Sequence, residues 1–362
     1  MKIGILSMQR ILNYGSFLQA LSLKMQFEQR GHDVYFIDIK PGRTIIPFIE
    51  GVGNLSKKLD KYIFKRIENF FFSREMAKIH LSDIHNYLDI DKQISDNEMF
   101  DLAVIGSDEV FNASIASRWG FTTQLFGRVD NAKIVVTYAA SCGSTTVEKV
   151  RELHIDYEIS QALQTITRIS VRDWNSCDFV RRMIGVNPEI NVDPVFLSNY
   201  DKYIPHIKRI HKPFLLVYAY GNRITAVSEI HAIKQYAQKY NLDILCVGMQ
   251  QRWCQHNITA NAFELLAYVK QSQCVVTDTF HGTVFSIKYN KRFVSFIRES
   301  NRQKLEGLLT QFGLINRAVK DMSAFEDTID MEIDYSKVNS VVRMEQLKSG
   351  EYIDAVCKLA ER

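Results

Sequence analysis

The chain has 362 residues, 46% hydrophobic and 24% charged, a globular composition long enough for two domains or one large one. Lys and Arg number 45 against 41 Asp and Glu, a formal charge of +4, and so slight an excess argues against a nucleic-acid binder, which carries a concentrated basic face. Six scattered cysteines form no C-x-x-C pair, which speaks against a disulfide framework or a zinc site and fits a reducing cytosol. No stretch reaches the length of a membrane span, and the opening "MKIGILSMQR" reads as a strand rather than a signal segment.

In chain order, "KIGILS" predicts a strand and "SFLQALSLKMQFEQRG" a helix with Gly31 as its stop; "HDVYFIDI" is a second strand. This β-loop-α-β unit implies a parallel crossover. Within 41–98 the pattern is less regular. Leu59, Tyr62, Ile63, Ile67, Phe70 and Phe71 fall at helical spacing among Lys57, Lys58, Lys61, Lys65 and Arg66. "FDLAVIGSDEVFN" and "AKIVVTYAASCGS" are strands running into small polar turns. "HIDYEISQALQTIT" is helical, "RISVRD" a strand, "NSCDFVRRMIG" a helix stopped by Gly185, and "INVDPVFL" closes the first half. The polar segment "SNYDKYIPHIKRIHKP" reads as a linker, after which strands and helices alternate again through "FLLVYAYG", "LDILCVG", "QCVVTD" and "RFVSFI". "RQKLEGLLTQFGL" is another helix, and the C-terminal stretch is a long helix broken near Gly350. The expectation is an α/β protein of two Rossmann-like domains facing a cleft, with a C-terminal helix. The domains span 1–198 and 199–334, and the helix, 335–362, packs back on the first.

In such sheets ligands bind beyond the carboxyl ends of the strands, where the polar clusters fall. Asp278-Thr279-Phe280-His281-Gly282 ends a buried strand and opens a helix. Gly282 lets backbone approach a ligand, the helix start suits an anion, and His281 could bind phosphate or shuttle a proton. The same residues also make an ordinary N-cap followed by a packed histidine. Gly106-Ser107-Asp108 offers a base for a sugar hydroxyl, or simply a turn with an N-cap. Asn13, Tyr14, Gly15 and Ser16 precede a helix without a G-x-G-x-x-G fingerprint. Arg172 could grip a carboxylate or phosphate, or pair with Asp173 or Asp178. Asp193-Pro194 reads as a rigid turn, and Cys142 as a small buried residue. Arg298 and Arg302 follow the last parallel strand. The basic helix at 57–71 could rest on an anionic membrane surface, or be an ordinary core-facing helix with a solvated rim.

Taken together and in order, "NYGSFLQALSL", "DLAVIGSDEVFN", "YAASCG", "ISVRDWNS", "VDPVFL" and "VVTDTFHGTVFSI" resemble the polysaccharide pyruvyl transferase family, over roughly residues 3–317. The resemblance implies a GT-B-like fold and a transferase of the EC 2.5.1 type, in which pyruvate from phosphoenolpyruvate becomes a ketal on a sugar of a cell-surface polysaccharide. It makes His281 the phosphate ligand or proton donor and Arg172 a carboxylate or phosphate ligand. Asp108 would act on an acceptor hydroxyl with Asn13, Tyr14, Gly15 and Ser107 beside it. Asp278, Thr279, Gly282 and Thr283 would line the donor site on the second domain, the acceptor lying on the first. No metal or cofactor is demanded. Some family members have an arginine two residues before this histidine, where this chain has Thr279. Arg298, Arg302 or Lys291 would then supply that charge.

Phosphoenolpyruvate and a saccharide, lipid-linked or not, are thus the expected partners. The expected place is the cytoplasm or the inner membrane face. Two other functions fit the same pattern: a nucleotide-sugar glycosyltransferase of this fold, with Glu264 holding the ribose, and a non-catalytic polysaccharide-assembly protein.

Overall fold

A computed structural model describes residues 1–47, 63–92, 98–207, 212–221 and 223–361, without the side chains of 63–68. Lys57, Lys58, Leu59, Lys61 and Tyr62 of the expected basic helix lie outside the described residues, as do the side chains of Ile63, Lys65, Arg66 and Ile67. The chain divides into two compact units: Met1–Lys57, Ile84–Ser198 and Met344–Arg362 form the first, Lys58–Asp83 and Asn199–Arg343 the second.

Unit one runs β1 (Lys2–Leu6), α1 (Tyr14–Glu28), β2 (Asp33–Phe36), the end of α2 (Ile63–Leu88), β3 (Phe100–Ile105), β4 (Ala132–Thr137), α3 (Val147–Glu152), α4 (Asp156–Leu163), β5 (Ser170–Val171), α5 (Trp174–Ile184) and β6 (Glu189–Ile190). Four parallel strands stand in the order β2-β1-β3-β4. Parallel bridges Val136–Arg168 and Ala140–Val171 attach the β5-β6 pair beside β4. Strands covered on both faces read as apolar runs; Ile3, Ile5, Leu102, Val104 and Val136 are all fully buried. The helix expected from Ser16 starts two residues earlier, because Asn13 accepts the Ser16 N–H at 2.8 Å and is the N-cap. At the far end of α5, Gly185 takes φ +73°, the left-handed stop the sequence announced.

Unit two contains β7 (Phe214–Tyr218), α6 (Val227–Lys239), β8 (Asp243–Val247), β9 (His256–Ile258), α7 (Ala262–Gln271), β10 (Cys274–Thr277), α8 (Phe280–Lys288), β11 (Arg292–Phe296), α9 (Arg302–Gln311), β12 (Ala318–Val319), α10 (Phe325–Asp330) and the start of α11 (Tyr335–Ala360). Its six strands are parallel in the order β12-β11-β10-β7-β8-β9. The order grows outward in one direction from β7 and in the other from β10, the doubly wound arrangement, with its reversal between those two strands.

Residues 63–83 group with unit two rather than with the residues that follow them. Asp83 Oδ2 accepts the Ala262 N–H at 2.9 Å at the start of α7, and Glu75 Oε1 accepts from the Thr259 hydroxyl at 3.2 Å. The long C-terminal helix is not broken: α11 is continuous through Gly350. A mid-helix glycine costs about 1 kcal/mol against alanine, and unit one holds the helix on either side of it. The Tyr352 hydroxyl donates to Thr137 O (2.7 Å), Gln346 Nε2 donates to Phe196 O (2.5 Å), and Arg30 Nε pairs with Asp354 (2.6 Å).

Burial pushes the Asp83 carboxyl up to about 6, opposed by the Ala262 N–H and helped by Glu264. The folded unit therefore holds that proton more tightly than the unfolded chain. The charge costs stability above about pH 6, and the cost fades as pH falls towards ~4. Asp83→Asn keeps an acceptor for Ala262 and removes the charge. It should stabilise by about 1 kcal/mol after solvent screening, roughly 2–4 °C in melting temperature near pH ~7.5, with the gain gone by pH ~4.5. An equal gain at both pH values would contradict this origin.

Candidate functional site

Each unit gathers polar groups at the carboxyl edge of its sheet, where the strand order reverses. In unit one the reversal lies between β1 and β3. The loop after β1 brings Asn13 and Ser16, and the turn after β3 brings Asp108. Asp108 Oδ2 accepts the Ser16 hydroxyl at 2.6 Å and Oδ1 accepts the Glu109 N–H at 2.9 Å. Its backbone is left-handed (φ +77°), a conformation Asp tolerates, and its carbonyl accepts the Ser141 N–H at 2.9 Å. Gly106 is required there: its φ is +119°, and a Cβ would stand 2.3 Å from Tyr138 O. Ser107 is buried, its hydroxyl donating to Ala139 O at 3.0 Å. Tyr14 and Gly15 are buried within α1. Asn13, Ser16 and Asp108 thus form one hydrogen-bonded chain, while Tyr14, Gly15 and Ser107 support it from inside. Asn112 Nδ2 donates to Glu109 Oε2 at 2.7 Å against Gly143, adding two groups that the sequence reading missed.

Arg172 follows β5 but does not point to solvent. It is 5% exposed and its Nη1 lies 3.0 Å from Oδ2 of the fully buried Asp193. Burial works against its charge, but Asp193, Asp108 and Asp173 hold it above its ordinary value. Asp193 is therefore its ion-pair partner at hydrogen-bond distance. Asp173 caps α5 by accepting the Ser176 N–H at 2.8 Å, and Asp178 pairs with Arg181. Asp193 also accepts the Val195 N–H at 3.0 Å, so the Asp-Pro turn is tied at both ends.

In unit two the reversal lies between β7 and β10. Thr279 is the N-cap of α8, its hydroxyl accepting the Gly282 N–H at 2.9 Å. The residue where an arginine was absent from the sequence thus has a helix to cap. A Cβ on Gly282 would stand 2.1 Å from Thr277 Oγ1 and 2.7 Å from Tyr218 Cδ1, so only glycine lets α8 start this close to the strands. His281, on the first turn, is half-buried, its ring edge-on to Phe280 at 5.3 Å and tilted to Phe285 at 6.1 Å. Thr283 faces inward, its hydroxyl bonded to Thr279 O (3.1 Å) and Ser295 (2.7 Å).

Asp278 is fully buried, with Oδ2 3.6 Å from Arg223 Nη1 and 3.8 Å from Arg298 Nε. Burial holds its carboxyl above the ordinary value, with Arg223 and Arg298 pulling against it. Asn301 fastens the edge, donating to Asp278 O (2.7 Å) and Phe296 O (3.3 Å) while its Oδ1 accepts the Arg298 N–H (2.6 Å). Of the cations expected to replace the absent arginine, Arg298 is at this edge. Arg302 pairs with Glu299 at 3.0 Å. Lys291 precedes β11, at the opposite edge, and donates to Lys270 O at 3.0 Å. Arg223 was missed, although it follows β7 as directly as the other clusters follow their strands. Glu264 accepts the Asn261 N–H at 2.7 Å in a capping box on α7, which engages the acid considered for a ribose.

A family model described as polysaccharide pyruvyl transferase matches residues 13–300. No curated protein matches the chain. Among solved structures, a putative UDP-N-acetylglucosamine 2-epimerase from Listeria monocytogenes aligns with TM-score 0.52 and 9% identity, over 99% of this chain and 95% of that one. UDP-GlcNAc 2-epimerase from Neisseria meningitidis, bound to UDP-GlcNAc, gives TM-score 0.52 and 9% identity over 99% and 100% of the two chains. The glycotransferase of kitacinnamycin gives 0.50 and 10% over 98% of each. At such identities the likeness concerns the fold alone, which is GT-B-like: α/β units with parallel sheets and a closing helix.

The buried Arg172–Asp193 pair makes a prediction. Arg172→Met strands a buried carboxylate and should destabilise by about 3–5 kcal/mol. The double variant Arg172→Met/Asp193→Asn, which keeps a cap for Val195, should recover most of that in thermal unfolding. A double variant as unstable as the single one would contradict the pairing.

Proposed function

Because the chain belongs to the polysaccharide pyruvyl transferase family, and so to transferases with a saccharide acceptor, we propose that its donor is phosphoenolpyruvate and its product a cyclic pyruvate ketal. A proton adds to the enol methylene, making it a methyl group and leaving C2 electron-poor. One sugar hydroxyl bonds to C2 and gives up its proton, and the C2–O bond to phosphate breaks. A second hydroxyl of the same sugar then closes the ketal and gives up its own proton. The two hydroxyl protons balance the one gained by the methylene and the one carried off by phosphate.

The observation that carries this reading is the β10–α8 turn. A glycine-opened helix start suits an anion. His281 stands on its first turn, and an imidazole there serves as acid or phosphate ligand. Asp108, at the edge of unit one and in contact with Ser16, is the group read as acting on the acceptor hydroxyl. Arg172, closed by Asp193, is read as shaping that edge. Among the described residues no helix is long and apolar enough to cross a membrane. Exposed Phe70 and Phe71 on α2 support peripheral contact, which would suit a lipid-linked acceptor.

The test is incubation with phosphoenolpyruvate and lipid-linked saccharides. The expected result is phosphate release matched by a pyruvyl mass gain on the sugar, with His281→Ala slowing both by at least about 100-fold. Phosphate release without modified sugar, or an unimpaired His281→Ala variant, would contradict the reading.

A further inference from the structure

Three loops meet at the carboxyl edge of unit two: after β7 with Arg223, after β10 with Asp278, and after β11 with Arg298. We infer that Arg223 and Arg298, gathered by the buried carboxylate of Asp278, form a two-arginine clamp for a phosphate-bearing anion. Naming that anion as phosphoenolpyruvate rests on the function proposed above.

The geometry is that of an open site. Both guanidinium groups approach one oxygen of Asp278 at 3.6 and 3.8 Å, beyond hydrogen-bond length. Neither Asp278 oxygen has a hydrogen-bond partner among the described residues, although the side chain is fully buried. A buried carboxylate left in that state is costly, and here it has a use. Two guanidinium groups facing one point repel each other, and the negative charge between them keeps both there. Arg298 is held by Glu229 through Nη1, while its buried Nη2 has no hydrogen-bond partner among the described residues. That leaves a charged donor without a hydrogen bond at the strand edge.

Arg223 is built in rather than dangling. Gln251, itself buried, donates from Nε2 to Tyr220 O (2.8 Å) and Arg223 O (3.0 Å), and Trp253 Nε1 donates to Ile224 O (3.0 Å). The guanidinium lies over the Tyr220 ring at 5.2 Å, which fixes its plane. Both arginine side chains remain about three-tenths exposed, so a ligand can reach them. The site sits at the reversal between β7 and β10, where a doubly wound sheet leaves room between diverging loops.

Binding by the full chain is measured calorimetrically with inorganic phosphate and, separately, with phosphoenolpyruvate. Wild type should bind both. Arg223→Gln should weaken both by about tenfold or more in protein shown by its unfolding transition to be folded, since a charge-assisted contact is lost. Arg223→Lys, which keeps charge without the planar fork, should fall between. Unaltered affinity in Arg223→Gln, or in Arg223→Lys should the first variant not fold, overturns the clamp while leaving the donor reading intact. Wild type that binds phosphate but not phosphoenolpyruvate upholds the clamp and overturns the donor. Wild type that binds neither overturns both.

Discussion

Every strand of a parallel sheet points the same way, so every loop that follows a strand arrives at the same edge. Where the strand order reverses, successive loops turn apart and leave a crevice. That constraint locates both polar sites here. In unit one the reversal separates β1 from β3, and the Ser16–Asp108 hydrogen bond spans it. In unit two it separates β7 from β10, and the Arg223–Asp278 pair spans it. Neither contact could be made by residues near each other in sequence; the sheet brings them together.

The same edges show how polar groups are kept in place at low cost. Short side chains cap helices and tie turns, as Asn13, Asp173, Asn261 and Thr279 do. The glycines stand where backbone must pass close, at Gly106 against Tyr138 O and at Gly282 against Thr277. Buried pairs held at hydrogen-bond distance, such as Arg172–Asp193, stiffen the scaffold, and a buried pair of this kind is strongly destabilising to break from one side. The pairs around Asp278 are longer and lack hydrogen bonds on the carboxylate.

Much of the fold was legible because strands buried on both faces leave uninterrupted apolar runs such as FDLAVI and CVVT. Among the elements missed, several were too short to carry a period: β9 has three residues, β12 two, and α3 and α10 six each. Gly350 suggested a break because local propensity says so, and tertiary anchors at Gln346 and Tyr352 prevailed. In the sites, Asp108, Thr279, His281 and Gly282 were visible as strand-end clusters. The partner of Arg172 was not, because Asp193 comes twenty-one residues later and reaches it only through the β5-β6 pairing. Arg223 was overlooked because a single arginine in a loop carries no pattern; its meaning comes from Asp278, brought to it by the sheet. Glu264, three residues after Asn261, showed the spacing of a capping box and could have been read as one.

The most direct measurement is a crystal structure of the protein soaked with phosphoenolpyruvate. The account predicts density for the ester at the carboxyl ends of β7 and β10, its phosphate in contact with Arg223 and with Nη2 of Arg298, and its enol end towards the first turn of α8. Density bound elsewhere, with the Arg223–Asp278–Arg298 cluster unchanged and unoccupied, would contradict it.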